Sequence, residues 1–252
     1  MTDASVPAGF ADNDFRIGRV FSRTSSVLSH NLLIFFIVTV VANLPGTLLI
    51  KTATDAAATT DSPRAVGLTA LGGFLTLVLS TLSQAVVLYG AFQDMRGRRV
   101  SLGESLKVGL SRFLAIIALA ILMSLGIGFG FVLLVIPGLI LVTMWFVATP
   151  ACVVERLGPF ASMARSSQLT KGHRWKVLGL FIVLAIGGGI AGGMIDVVLE
   201  DVVGSATLTL VGGLIWNGIW GAFYAIAAVV TYHDLRVAKE GIDIEQIAAV
   251  FD

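Results

Sequence analysis

Apolar positions in this chain come in long unbroken runs, and the polar stretches between them are short and mostly basic. The longest run, Phe113–Val154, holds 42 residues without an Asp, Glu, Lys or Arg. As one helix it would measure roughly 60 Å at 1.5 Å per residue, about twice the ~30 Å hydrocarbon core of a bilayer. The run is therefore two helices, and the stretch "VIPGL" places the fold-back at Pro137 and Gly138. The same reading predicts six spans, over residues 30–50, 67–91, 113–134, 138–154, 177–199 and 206–232. The first 29 residues are polar and mixed in charge, and no cleavage pattern follows the first apolar run, so that run is read as a retained span.

Each odd-numbered span is preceded by a short amphipathic segment. In the first, Ile17, Val20, Phe21, Val27 and Leu28 form a helical stripe opposite Arg16, Arg19, Ser22, Arg23 and Ser26. In the second, near 101–112, Leu102, Leu106, Leu110 and Phe113 share a face that excludes Lys107, Ser111 and Arg112. It opens on Ser101-Leu-Gly-Glu104, the spacing of a capping box. In the third, near 158–171, Gly158 and Pro159 suit a helix start, and Leu157, Phe160, Ala161 and Ala164 follow at helical spacing. A basic face opposite a short apolar one describes a helix lying in the membrane interface.

The expected fold is thus an all-α integral membrane protein: six transmembrane helices as three hairpins, each preceded by a cytoplasmic interfacial elbow. Its organisation is an N-terminal segment over 1–29, a membrane domain over 30–232 and a cytoplasmic C-terminal segment over 233–252. The last of these carries a cap-like Asp243–Gln246 followed by apolar Ile247, Val250 and Phe251.

Composition strengthens this picture. Charged residues make up 13% of the chain against about 25% in soluble domains, and the mean hydropathy is +0.91. The net charge of +1 hides a strong asymmetry. Of the 17 Lys and Arg residues, only Lys51 and Arg64 fall on the side away from the termini. By the positive-inside rule both termini are expected to be cytoplasmic. Cys152 is the only cysteine, so no intrachain disulfide can form.

Candidate chemistry is sparse. His30, His173, His233, Asp94, Glu155 and Asp234 cluster near span ends, but no pair has the spacing of a metal site, so no metal, cofactor or catalytic set is expected. The basic elbows offer Arg98, Arg99, Arg112, Arg165, Lys171, Arg174, Trp175 and Lys176 for contact with anionic lipid headgroups. Within the spans, Asn43, Gln84 and Asn217 are the clearest polar residues, and hydrogen bonds between helices are their expected use. No charged residue lies deep in a span, and Asp196 sits near an end. Gly188, Gly189, Gly192 and Gly193 form overlapping small-xxx-small pairs suited to close helix packing or a homo-oligomer contact. Pro45, Pro137 and Gly138 are candidate hinges.

Several of these residues also carry a family resemblance. The motifs Ile136-Pro137-Gly138, Pro150, Glu155, Leu157-Gly158-Pro159, Ser166, Leu169-Thr170, Gly172, Trp175 and Asp234-Leu235-Arg236 resemble the bacterial glycerophosphoryl diester phosphodiesterase membrane-domain family over roughly residues 100–245. The resemblance implies a polytopic protein of the bacterial inner membrane. The phosphodiesterase activity belongs to a separate soluble domain in some members. This chain has no room for such a domain and no carboxylate/histidine metal cluster, so that activity does not carry over. The leading expectation is a non-enzymatic, lipid-associated protein of envelope organisation or trafficking, with membrane lipids rather than nucleic acid as partners. The alternative is a transporter or channel for a small neutral or amphipathic solute. A lipid-modifying enzyme would need a convergent catalytic set, which the sequence does not supply.

Overall fold

A computed structural model describes residues 15–57 and 63–240, and every regular element among them is helical. The chain runs through α1 (Ile17–Ala57), α2 (Pro63–Met95), α3 (Leu102–Leu133), α4 (Val135–Trp145), α5 (Ala148–Val154), α6 (Pro159–Thr170), α7 (Arg174–Val197) and α8 (Ala206–Glu240). A π-helical turn, Val198–Val202, extends α7 and closes with Val203 N–H on the Val198 carbonyl at 3.1 Å. Among the described residues, six stretches are long and apolar enough to cross a membrane, with α4 and α5 together making one of them. The predicted C-terminal amphipathic helix and positions 1–14 lie outside the described residues.

The breaks between helices have local causes. Within α1 the only non-helical residue is Asn31 (φ −126°, ψ 21°), which separates the amphipathic start from the apolar remainder. Around Pro45, one of the candidate hinges, the backbone keeps helical angles. The second amphipathic segment is not a separate piece either, because α3 continues from Leu102 through the whole span. Nothing in its sequence interrupts the i→i−4 ladder, whereas α6 is set apart from α7 by Gly172 at φ +91°.

The fold-back between α3 and α4 falls at Leu134 (φ −166°, ψ 155°), three residues before the predicted Pro137-Gly138. Pro137 sits in the first turn of α4, where its missing N–H has no helical acceptor to serve. Gly138 serves packing rather than turning. A Cβ at Gly130 would stand 3.0 Å from the Gly138 Cα, so the two glycines let α3 and α4 cross almost in backbone contact. The predicted span 138–154 is broken between α4 and α5 at Phe146 and Val147, because Pro150 cannot donate to Phe146 and its ring crowds that carbonyl.

The core gathers at one end. Contacts between Arg23 and Asp234, Asn31 and Asp94, Gln93 and Glu104, and Glu155 and Arg165 join the start of α1, the ends of α2, α5 and α8, the start of α3 and α6. Phe15 meets His173 edge-on there, bringing in the start of α7. We call this the basic end, since it collects most of the Lys and Arg. The buried side chains Phe35, Leu88, Leu119, Leu169, Leu180 and Tyr232 lie in this half. The centre is the second half of α8, where Ala222, Ala225, Ala227 and Ala228 let neighbouring helices come close. Towards the other end the helices present large apolar residues outward, such as Val132 (83% exposed), as spans surrounded by lipid would.

Candidate functional site

At the basic end each amphipathic segment is tied down by polar residues from a helix terminus. The first is held by two aspartates near the ends of α2 and α8, each two residues before an arginine (Asp94-Met95-Arg96 and Asp234-Leu235-Arg236). Asp234 accepts from Arg23 Nη1 at 2.9 Å, and Asp94 accepts from Asn31 Nδ2 at 2.8 Å. The second is held by Gln93, which is buried: its Oε1 accepts from the Ser101 N–H at 3.0 Å while its Nε2 donates to Glu104 at 2.7 Å. The predicted capping box is thus half formed. Glu104 N–H donates to Ser101 Oγ at 3.4 Å, but the return bond to Ser101 N–H comes from Gln93.

The third segment is clamped by an ionic network. Glu155, which caps the C-terminus of α5, accepts from Arg165 Nε on both oxygens (2.9 and 3.0 Å) and from the Tyr232 hydroxyl at 2.6 Å. Arg165 also pairs with Glu240, whose other oxygen accepts from Arg236 Nε at 2.9 Å. Lys239 donates to the Gln168 carbonyl, and Ser166 Oγ donates to the Met144 carbonyl at 2.7 Å. Burial works against the Arg165 charge, but the hydrogen bonds it donates to Glu155 and Glu240 outweigh it and raise its pKa above the ordinary value. These charged groups are half-buried and paired with one another, so the network fixes α6 to α5 and α8.

Arg165 is thereby withdrawn from the predicted lipid-contact set. The remaining members, Arg112 apart, fall in two patches. Arg98 and Arg99 are exposed in the turn between α2 and α3, where they border a cavity of about 630 Å³ with His30 and Ser26. Lys171, Arg174, Trp175 and Lys176 lie around the α6–α7 turn. Lys171 is exposed, Trp175 is 85% exposed, and Arg174 and Lys176 are half-buried. Arg112 is half-buried on α3. Among the described residues no group of three or more His, Cys, Asp or Glu is placed to hold a metal ion.

The four glycines of α7 divide into two faces. A Cβ at Gly188 would fall inside the Trp220 indole, 2.5 Å from Cε2, and one at Gly192 would stand 2.8 Å from Trp216 Nε1. Trp216 and Trp220 stack at 5.4 Å and fill the space these glycines leave. Gly189 and Gly193 face outward, with nothing within 4 Å of the Cβ position.

Away from the basic end, α1, α2 and α8 part around a cavity of about 700 Å³. It brings together Asn43, Gln84 and Asn217, the three intramembrane amides singled out by sequence. They do not hydrogen-bond between helices as expected. Asn43 Nδ2 donates to the Thr39 carbonyl and Asn217 Nδ2 to the Gly213 carbonyl, both at 2.8 Å and both within their own helix. A usable signal was present in the sequence: the lining residues recur every fourth position, as Thr39, Asn43, Thr47, Lys51 and Asp55 on α1. Thr76, Ser80 and Gln84 repeat the spacing on α2, and Thr209, Gly213 and Asn217 on α8. Residues four apart share a helix face.

Against known families, the chain matches the model described as a domain of unknown function (DUF7847) over residues 99–235, more than half of its length, and it belongs to that family. No curated protein and no solved structure matches it.

Proposed function

We propose that this chain is a non-enzymatic, multi-pass membrane protein whose basic end rests in an anionic lipid leaflet. In this reading the six spans form three hairpins, each entered through an amphipathic elbow at the interface. The second elbow is the first turns of α3, and the third is α6. By the positive-inside rule the basic end faces the cytoplasm, and the family resemblance points to a bacterial inner membrane.

One observation carries the proposal. At the end where the cations collect, apolar residues of the elbows point outward: Leu102, Leu106, Leu110, Phe160 and Trp175 are all at least 45% exposed. In water this would be a costly apolar patch. At the level of lipid headgroups it is a stable arrangement, with Arg98, Arg99 and Lys171 exposed beside it to reach phosphates. Lipid organisation or trafficking is the work such a surface suits.

The test replaces Arg98, Arg99 and Lys171 together with Gln and measures anionic phospholipid retained on purification. At about 1 kcal/mol per cation near a charged surface, loss of all three lowers retention of bound anionic lipid by about a hundredfold in affinity. A folded triple variant with unchanged retention refutes the proposal.

A further inference from the structure

The cavity between α1, α2 and α8 has a chemistry of its own. Its wall hydroxyls spend their protons inside their helices: Thr39 on the Phe35 carbonyl at 2.7 Å, Thr47 on Asn43 at 3.0 Å, Thr76 on Gly72 at 2.9 Å and Thr209 on Ser205 at 3.1 Å. A hydroxyl used this way still offers oxygen lone pairs. The Asn43 and Asn217 amides likewise commit a donor to a backbone carbonyl and keep their side-chain oxygens. The wall is therefore rich in acceptors.

Ser83 adds an independent observation. It lines the cavity, the residue is only 3% exposed, and its Oγ has no hydrogen-bond partner, although the hydroxyls around it all bond back to their own helices. An unpaired buried hydroxyl costs about 1–3 kcal/mol.

Charge narrows the ligand further. Lys51 and Asp55, 3.6 Å apart in the last turns of α1, are the only charged residues among the described residues of the wall, and they pair with each other. A charged solute deeper in would have no counter-ion. The volume lies within the range of about 300–1,000 Å³ of small-molecule sites, far beyond a bare ion. Ile50, Leu210 and Leu214 supply apolar surface between the polar rows. The cavity follows α1 from Asp55 to Thr39, roughly 24 Å. One turn further on, Phe35, Ala91 and Ala225 are buried in the core, and Phe35 packs on Gly90, whose Cβ position is 2.9 Å from its ring. The site is thus closed towards the basic end.

We infer that this cavity binds an uncharged polyhydroxylated group of mono- to disaccharide size, whose hydroxyl protons go to the Thr, Ser and Asn oxygens while its C–H faces meet the apolar strips. The group can arrive as a free solute or as the sugar head of a glycolipid, and the experiment separates the two sources.

The full chain in nanodiscs carries Ser80→Cys, or Asn217→Cys if the first variant does not fold. Cys152 is fully buried and stays silent. Labelling by a polar maleimide is followed with sorbitol, glucose or sucrose in solution, or with a glucosyl diacylglycerol in the disc. At least one probe is expected to slow labelling about tenfold when present at about ten times its Kd. Protection by dissolved sugars identifies a solute site, and protection by the glycolipid alone identifies a lipid-head site. Adding Gly213→Phe, at a wall position with nothing within 4 Å of its Cβ, puts a ring into the cavity and is expected to abolish the protection. Adding Gly189→Phe, on the outer face of α7, leaves it intact. The inference is overturned if the introduced cysteine does not label, if no probe slows it, or if protection survives Gly213→Phe.

Discussion

Gly188 and Gly189 are neighbours on one helix, so replacing each with Ala changes helix propensity by the same amount, about 1 kcal/mol in favour of the helix. Everything that differs between the two variants is packing. At Gly188 the new methyl group enters the Trp220 ring, and that ring cannot easily retreat because it is stacked between Trp216 and Phe223, each 5.4 Å away. At Gly189 the methyl group meets nothing within 4 Å. Overfilling a packed site costs about 1–3 kcal/mol, so G188A is expected to be less stable than G189A by that margin, with the propensity gain cancelling in the difference. Gly192 and Gly193 repeat the comparison one turn later, with Trp216 in the role of Trp220. The assay is unfolding by SDS in mixed micelles, followed by tryptophan fluorescence, to which the two stacked indoles contribute as two of the chain's four tryptophans. Equal midpoints for G188A and G189A would refute the reasoning, and a loss at Gly189 alone would mean that α7 packs with its other face inward.

The remaining substitutions probe the clamp, a strained turn and a second helix crossing. Tyr232→Phe removes a hydroxyl donor from the Glu155 carboxylate and is expected to cost about 2 kcal/mol of stability. Glu155→Gln should cost at least as much, and the double variant less than the sum because both act on one network. Additive losses in the same SDS titration would argue against a shared network. Arg156 follows α5 at φ +56°, a conformation that favours glycine, so Arg156→Gly is expected to raise stability by about 1 kcal/mol, and a lower midpoint would count against stored strain there. A Cβ at Gly46 would stand 2.8 Å from the Gly72 carbonyl oxygen and 2.9 Å from the Thr76 nitrogen, so Gly46→Ala must push α1 off α2 and lose about 1–3 kcal/mol, whereas an unchanged midpoint would mean the two helices do not cross there.

The six apolar spans were legible because apolar run length is a strong and purely local signal. Helix interruptions were harder to place, for a reason visible at Pro137 and Pro150. A proline tells that a helix starts near it or is broken before it, not which. Pro137 opens α4 and Pro150 opens α5, so both breaks lie upstream, at Leu134 and at Phe146–Val147. Pro45 breaks nothing, and the interruption in α1 comes instead at Asn31, where the side chain is drawn to Asp94 on another helix. That partner is 63 residues away, outside any local pattern.

The same limit explains the polar residues. Arg165 looked like one more cation for lipid because its neighbours Lys171, Arg174 and Lys176 are basic. Its fate was decided by Glu155, Tyr232 and Glu240, three residues on two other helices. A lone charge can be assigned to a surface from composition, but a charge with partners can be assigned only once the helices are assembled. The cavity residues present the opposite case. Asn43, Gln84 and Asn217, taken singly, read as helix-packing amides. Taken with their neighbours at four-residue spacing, each belongs to a polar row too wide to bury against an apolar helix without losing hydrogen bonds. Three such rows on α1, α2 and α8 either face one another across a dry, fully paired interface or line a space. Because Thr39, Thr47, Thr76 and Thr209 have each already satisfied their hydroxyl within their own helix, little remains to bind the three rows to one another, and they line a space beside the close α1–α2 contact at Gly46 and Gly72.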